Sequence, residues 1–184
     1  MHMEEKYMRR AIALAKKGIG GVNPNPLVGA VIVKEGRIIG EGYHACYGDL
    51  HAERNAFANL TEDAAGAEMY VTLEPCCHQG KQPPCTQAVI EHGIRRVYVG
   101  SDDPNSLVAG RGIKQLREAG IQVETQVLKE ECDALNPVFF HFITTKNSVC
   151  GDEICHDAGR ENCLPYRRQP MGDRRAGEGA CAGD

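Results

Sequence analysis

A three-layer α/β/α domain built on a mixed sheet is the fold class that this sequence predicts, for two reasons. An opening helix is followed by a β-hairpin, whose strands must be antiparallel. Repeated helix–strand units come next, and these set strands side by side with helices on both faces. Residues 3–17 put Tyr7, Met8, Ile12 and Ala15 on one side of a helix that ends at Gly18, Gly20 and Gly21. The loop Asn23-Pro24-Asn25-Pro26 leads into an apolar run from Leu27 to Val33, and Lys34-Glu35-Gly36 turns it into a second strand from Arg37 to Tyr43. A helix is predicted from near His51 to Leu60, then a strand from Met69 to Leu73 that stops at Glu74-Pro75. Pro83-Pro84 opens a helix that runs to His92 and ends at Gly93, the usual placing of proline before and glycine after a helix. Arg96 to Val99 reads as a strand, Gly112 to Ala119 as a helix closed by Gly120, and Ile121 to Val127 as a strand. A last helix is expected over about residues 129–141, and the domain is expected to span residues 1–146.

Composition narrows the function. The chain of 184 residues is 42% hydrophobic and 25% charged, which suits one domain with a buried core. No apolar run reaches membrane-spanning length, and the charged, amphipathic N-terminal stretch has no signal-peptide pattern, so a cytoplasmic location is expected. The net charge of −4, with both signs interspersed, offers no basic face for a nucleic acid and favours a small-molecule partner. Nine cysteines, an odd number, point to metal ligation or free thiols rather than disulfides.

The residues that carry chemistry are His51-Ala52-Glu53, then Pro75-Cys76, then Cys85. One imidazole and two thiolates make three good zinc ligands and leave a fourth position open for water, whereas a structural site would close it. Zinc brings the pKa of such a water toward neutrality, and Glu53 is the acid placed to take its proton and pass it to a leaving amine. This set, His-x-Glu with a later Pro-Cys and a second Cys, is that of zinc nucleobase deaminases. Cys85 follows Pro83-Pro84 at a helix N-terminus, where the dipole favours a thiolate. Cys77 would block the open position and is read as a bystander, while Cys46 and Cys132 are read as small core residues.

Six stretches make the resemblance specific: Asn23 to Gly29, Gly42-Tyr43-His44, His51-Ala52-Glu53, Val71 to Cys85 (VTLEPCCHQGKQPPC), Asp103-Pro104-Asn105 and Val108 to Gly112. Over residues 1–146 the chain resembles the deaminase domain of the bifunctional riboflavin-biosynthesis deaminase/reductases, in the cytidine-deaminase-like superfamily. Eight residues separate Cys76 from Cys85, where most zinc deaminases of that fold have two, and this long loop marks the riboflavin family. The resemblance implies hydrolysis of diaminohydroxyphosphoribosylaminopyrimidine to the corresponding aminouracil and ammonia, with Zn2+ as cofactor and a small phosphorylated pyrimidine as partner. Neither nucleic acid nor membrane is implied, and a homo-oligomer is left open. It further implies substrate roles for Lys81 (phosphate), His78 (phosphate or ring), Asn25 (ribose hydroxyl or base edge), His44 (ring), and Asp103 and Asn105 (ribose). Gln82 stands where the family commonly has Thr, away from the chemistry.

From Asn147 onward the composition changes to six glycines, two prolines, four cysteines and few large aliphatics, and disorder is expected. In the resembled family an NADPH-dependent reductase domain follows at this point. Residues 152–163 read DEICHDAGRENC; their codons, taken one nucleotide later, permit Met-Lys-Tyr-Ala-Met-Thr-Leu-Asp-Gly-Lys-Ile-Ala, a phrase like the one that opens that reductase. Continuing through Met171-Gly172, the shifted frame gives a tryptophan within a second reductase-like phrase. Residues 147–184 are therefore expected to be a frameshifted remnant of the reductase, which accounts for Cys150, Cys155, Cys163 and Cys181 without a second metal site. Reductase activity is expected to be absent.

Three other readings remain. A related deaminase of cytidine, guanine or a tRNA adenosine would keep the zinc chemistry, but the long loop, Lys81 and the negative charge speak against it. In a non-catalytic zinc module Glu53 would have no task. Finally, the chain would be an unstable fragment if a lost domain left apolar surface exposed.

Overall fold

The computed structural model describes residues 3–78, 83–105 and 109–145. The expectations for Lys81 and Gln82, and the disorder and shifted frame expected from residue 147, lie outside these residues.

Helix α1 (Met3–Ala15) buries Tyr7, Met8, Ala11, Ile12, Leu14 and Ala15, one stripe at helical spacing. Strand β1 (Gly29–Lys34) pairs antiparallel with β2 (Arg37–Tyr43) across Glu35 and Gly36, both at positive φ as a two-residue hairpin turn demands. Helix α2 (Ala52–Ala58) follows, then β3 (Glu68–Leu73), α3 (Cys85–Glu91), β4 (Arg96–Ser101), α4 (Arg111–Glu118), β5 (Gln122–Glu124), α5 (Lys129–Asp133) and α6 (Pro137–Thr145). The sheet order is β2-β1-β3-β4-β5; β1 and β3 are antiparallel, while β3, β4 and β5 run parallel. Successive side chains leave a strand on opposite faces, so Ile32, Met69, Val71, Val97 and Val99 pack with residues of α2, α3 and α4. Their neighbours Val31, Val33, Tyr70 and Tyr98 pack with α1 and Cys132 of α5. That gives the three layers and explains why β1 reads as a continuous apolar run: both of its faces are covered.

Helix α2 lies directly on the backbone of β2. A Cβ at Gly42 would collide with the Ala56 nitrogen and the Ala52 oxygen, so only glycine lets the helix approach this closely.

Three sequence expectations need correction. The single last helix expected over residues 129–141 is two, α5 and α6, because Pro137 has no N–H and disfavours a helical Asn136. The final strand covers Gln122–Glu124 rather than 121–127, ended by Gln126 and Leu128 in the left-handed region. Cys132 is a core residue as expected, but Cys46 is half-buried in the loop after β2. Among the described residues, no helix is long and apolar enough to cross a membrane.

Candidate active site

The site forms at the C-terminal end of β3, beside the equivalent end of the parallel β4. Beyond Leu73 the chain passes through Glu74 and Pro75 to Cys76. His51 is the residue before α2, in an extended conformation, and accepts the first helical bond from Asn55 N–H at 2.9 Å. Cys85 is the first residue of α3. Three separate elements thus bring one atom each to a single point: His51 Nδ1 is 3.5 Å from Cys76 Sγ and 3.4 Å from Cys85 Sγ. All three atoms lie within 4.8 Å of one another, and no fourth His, Cys, Asp or Glu of the described residues joins them. Cys77 is outside the cluster.

The helix-terminus expectation for Cys85 is altered by this geometry. Its backbone N–H points at Cys76 Sγ, 3.4 Å away, so the start of α3 favours charge on the neighbouring sulfur. The Cys76 thiol is pulled far below the usual range, first by the Cys85 thiol donating to it and next by His51, against the effect of burial. Cys85 is pushed well above the usual range, because its proton is held against Cys76 and because it is fully buried. A divalent cation that displaces this shared proton leaves two thiolates and a neutral imidazole, a donor set suited to zinc. The residues present fit that metal.

Glu53, in the first turn of α2, is only 4% exposed. Burial pushes its carboxyl up to about 7, the Cys76 sulfur adds to the rise, and His51 opposes it. A carboxyl in this position is tuned to exchange protons near neutral pH.

A cavity of about 340 Å³ opens over the cluster. Asn25, His44, His51, Glu53, Cys76, His78, Asp103 and Asn105, eight of the residues singled out in the sequence, line it. His44 is buried, with Nδ1 3.1 Å from the Leu50 carbonyl and Nε2 3.0 Å from Asn25 Nδ2. The carbonyl can only accept, so Nδ1 carries the proton and Nε2 accepts from the Asn25 amide. Burial lowers the His44 pKa, in keeping with a neutral ring. Asp103 Oδ1 accepts the Asn105 N–H at 2.8 Å, which fixes the turn at the cavity rim. A second cleft, of about 520 Å³ among Asp102, Lys114, Arg117 and Thr125, contains none of the catalytic, metal or substrate residues expected from the sequence.

Sequence reasoning missed Glu74, Tyr47 and Phe139, which also line the cavity. The buried Glu74 carboxylate accepts N–H groups from Gly110 (2.9 Å), Gly112 (3.0 Å) and Ile113 (3.3 Å), tying the end of β3 to the first turn of α4. Its signal was legible: an acid directly before Pro-Cys at the end of an apolar strand. Phe139 had no local signal, because it arrives from the far end of the domain.

Comparison with known proteins agrees with this geometry. Residues 1–101 match the family model of the cytidine and deoxycytidylate deaminase zinc-binding region. The riboflavin biosynthesis protein RibD of Actinobacillus pleuropneumoniae is 65% identical over 140 residues, which are 76% of this chain and 37% of that protein. A Thermotoga maritima diaminohydroxyphosphoribosylaminopyrimidine deaminase/5-amino-6-(5-phosphoribosylamino)uracil reductase superposes with a TM-score of 0.76 at 52% identity, over 79% of this chain and 42% of that one. The Rib2 deaminase of Aspergillus oryzae, solved in complex with DARIPP, superposes with a TM-score of 0.56 at 27% identity, over 73% of this chain and 98% of that one. The chain spans about two fifths of the length of the curated bacterial relatives it matches. The fold is cytidine-deaminase-like.

Proposed function

Because the chain belongs to the cytidine and deoxycytidylate deaminase zinc-binding family, we propose that it hydrolyses the exocyclic amine of diaminohydroxyphosphoribosylaminopyrimidine in riboflavin biosynthesis, in the cytoplasm. The observation that carries the proposal is the convergence of His51, Cys76 and Cys85 beneath a cavity that Glu53, Asn25, His44, His78, Asp103 and Asn105 also line. His51, Cys76 and Cys85 would hold zinc. When bound, the metal supplies Lewis acidity that brings the pKa of a water toward neutrality.

The chain's own residues do the rest. Glu53 takes a proton from water as the water oxygen bonds to the ring carbon bearing the amine. It then delivers that proton to the nitrogen, the carbon–nitrogen bond breaks, and ammonia leaves. Neutral His44 and the Asn25 amide, already bonded to each other, meet the base edge; Asp103 and Asn105 meet the ribose; His78 meets the phosphate or the ring, and Lys81 the phosphate. Glu74 keeps the Cys76 turn fixed against α4.

The test is ammonia release by the zinc-loaded protein, offered the pathway pyrimidine and, in parallel, cytidine and guanine. Turnover of the pathway substrate alone is expected. Turnover of cytidine or guanine instead would keep the zinc chemistry and replace the substrate assignment.

The proposal includes residues 147–184, read as a reductase remnant in a shifted frame with no reductase activity of its own. The coding DNA is expected to carry reductase codons one nucleotide out of register from just before Asn147. An in-frame match of these residues to another known domain would remove this part of the proposal.

A further inference from the structure

We propose that Asn136 is a positioning residue for the substrate loop at residues 25–28; the inference rests on reading the cavity as the pyrimidine site. Asn136 is 7% exposed, and its amide makes two hydrogen bonds to the backbone of one residue: Oδ1 accepts the Leu27 N–H at 2.7 Å, and Nδ2 donates to the Leu27 carbonyl at 2.9 Å. Leu27 lies two residues before β1 begins, so this side chain takes the place of a strand partner for its N–H and C=O.

The amide is itself held. The Asn136 carbonyl accepts the Phe140 N–H at 3.0 Å, which fixes the residue at the start of α6, and Phe139 of that helix lines the cavity. On the other side of the bond, Pro26 and Val28 both line the cavity. The Val28 carbonyl accepts the His44 N–H at 3.0 Å, and Asn25 Nδ2 reaches His44 Nε2. Asn136 therefore acts across 109 positions of sequence on the two residues that meet the base edge, without touching the cavity itself. A primary amide serves both backbone groups of Leu27: a carboxylate lacks the donor, and an aliphatic side chain leaves both groups unpaired.

The experiment compares full-length, zinc-loaded Asn136→Ala with Leu135→Ala, a neighbouring core truncation that makes no bond to the loop. Zinc content, kcat, KM for the pathway pyrimidine, melting temperature and hydrogen exchange of the His44 amide are measured for each. Asn136→Ala is expected to raise KM by about tenfold or more with zinc content unchanged, and to speed exchange at His44. Leu135→Ala is expected to lower the melting temperature with KM and His44 exchange unchanged. Equal KM values and equal His44 exchange in the two variants would overturn the proposal. Should wild-type protein turn over none of the bases, the functional reading fails, and His44 exchange alone decides the role of Asn136. Should Asn136→Ala not fold, Asn136→Asp, which keeps the acceptor and loses the donor, is read in the same way.

Discussion

Glu53→Ala should lower turnover of the pathway pyrimidine by about 10²- to 10⁴-fold while leaving zinc content unchanged. The two halves of this expectation have separate origins in the structure. Zinc content should persist because Glu53 lies outside the cluster formed by His51, Cys76 and Cys85. Turnover should fall because Glu53 is the carboxyl beside that cluster, and burial pushes its pKa up to about 7. An alanine there removes the group that carries the proton between water and amine. Glu53→Gln should behave alike, since an amide fills the same space and cannot shuttle a proton. Metal analysis and steady-state ammonia release on the same preparation check both halves. Full activity in Glu53→Ala would leave a zinc-stapled module as the better account, and loss of zinc would make Glu53 a structural support of the ligands.

What the sequence allowed depended on how local each signal was. His51, Glu53 and Cys85 could be read from local pattern, because helix starts carry them and two prolines precede the second thiol. Asn25 and His44 were legible only through their motifs, and nothing in either motif states that one donates to the other. The hairpin at Glu35-Gly36 was legible because turn chemistry is short-range. Across residues 129–145 the apolar residues of the Pro137 segment merged two helices in the reading, although Pro137 marked the break. Asn136 falls inside the single helix expected over residues 129–141 and carries no local signal of its role. Its partner Leu27 lies 109 positions away, and a bond over that distance follows from how α6 returns to the start of β1. Single-sequence pattern holds no record of such a return.

Cys85→Ser should cost the protein its zinc, with affinity falling by more than the roughly 10- to 100-fold that loss of a supporting hydrogen bond to a ligand brings. Cys85 is fully buried as the first residue of α3, and its sulfur and backbone N–H both meet the other ligands, at 3.4 Å from His51 Nδ1 and 3.4 Å from Cys76 Sγ. A serine hydroxyl occupies the same place but does not ionise near neutral pH, so the donor set shrinks to one thiolate and one imidazole. Metal binding also contributes to folding: zinc at about a thousand times its dissociation constant adds about 4 kcal/mol to the native state. The melting temperature of wild-type protein should therefore drop on chelation, while that of Cys85→Ser should start low and not respond. Cys77→Ser is the control, one residue from a ligand in sequence but outside the cluster. It should keep zinc, activity and the chelator response. If Cys77→Ser lost its metal, or Cys85→Ser kept it, the ligand set drawn from His51, Cys76 and Cys85 would be wrong, because proximity in the chain would have outweighed proximity in the fold.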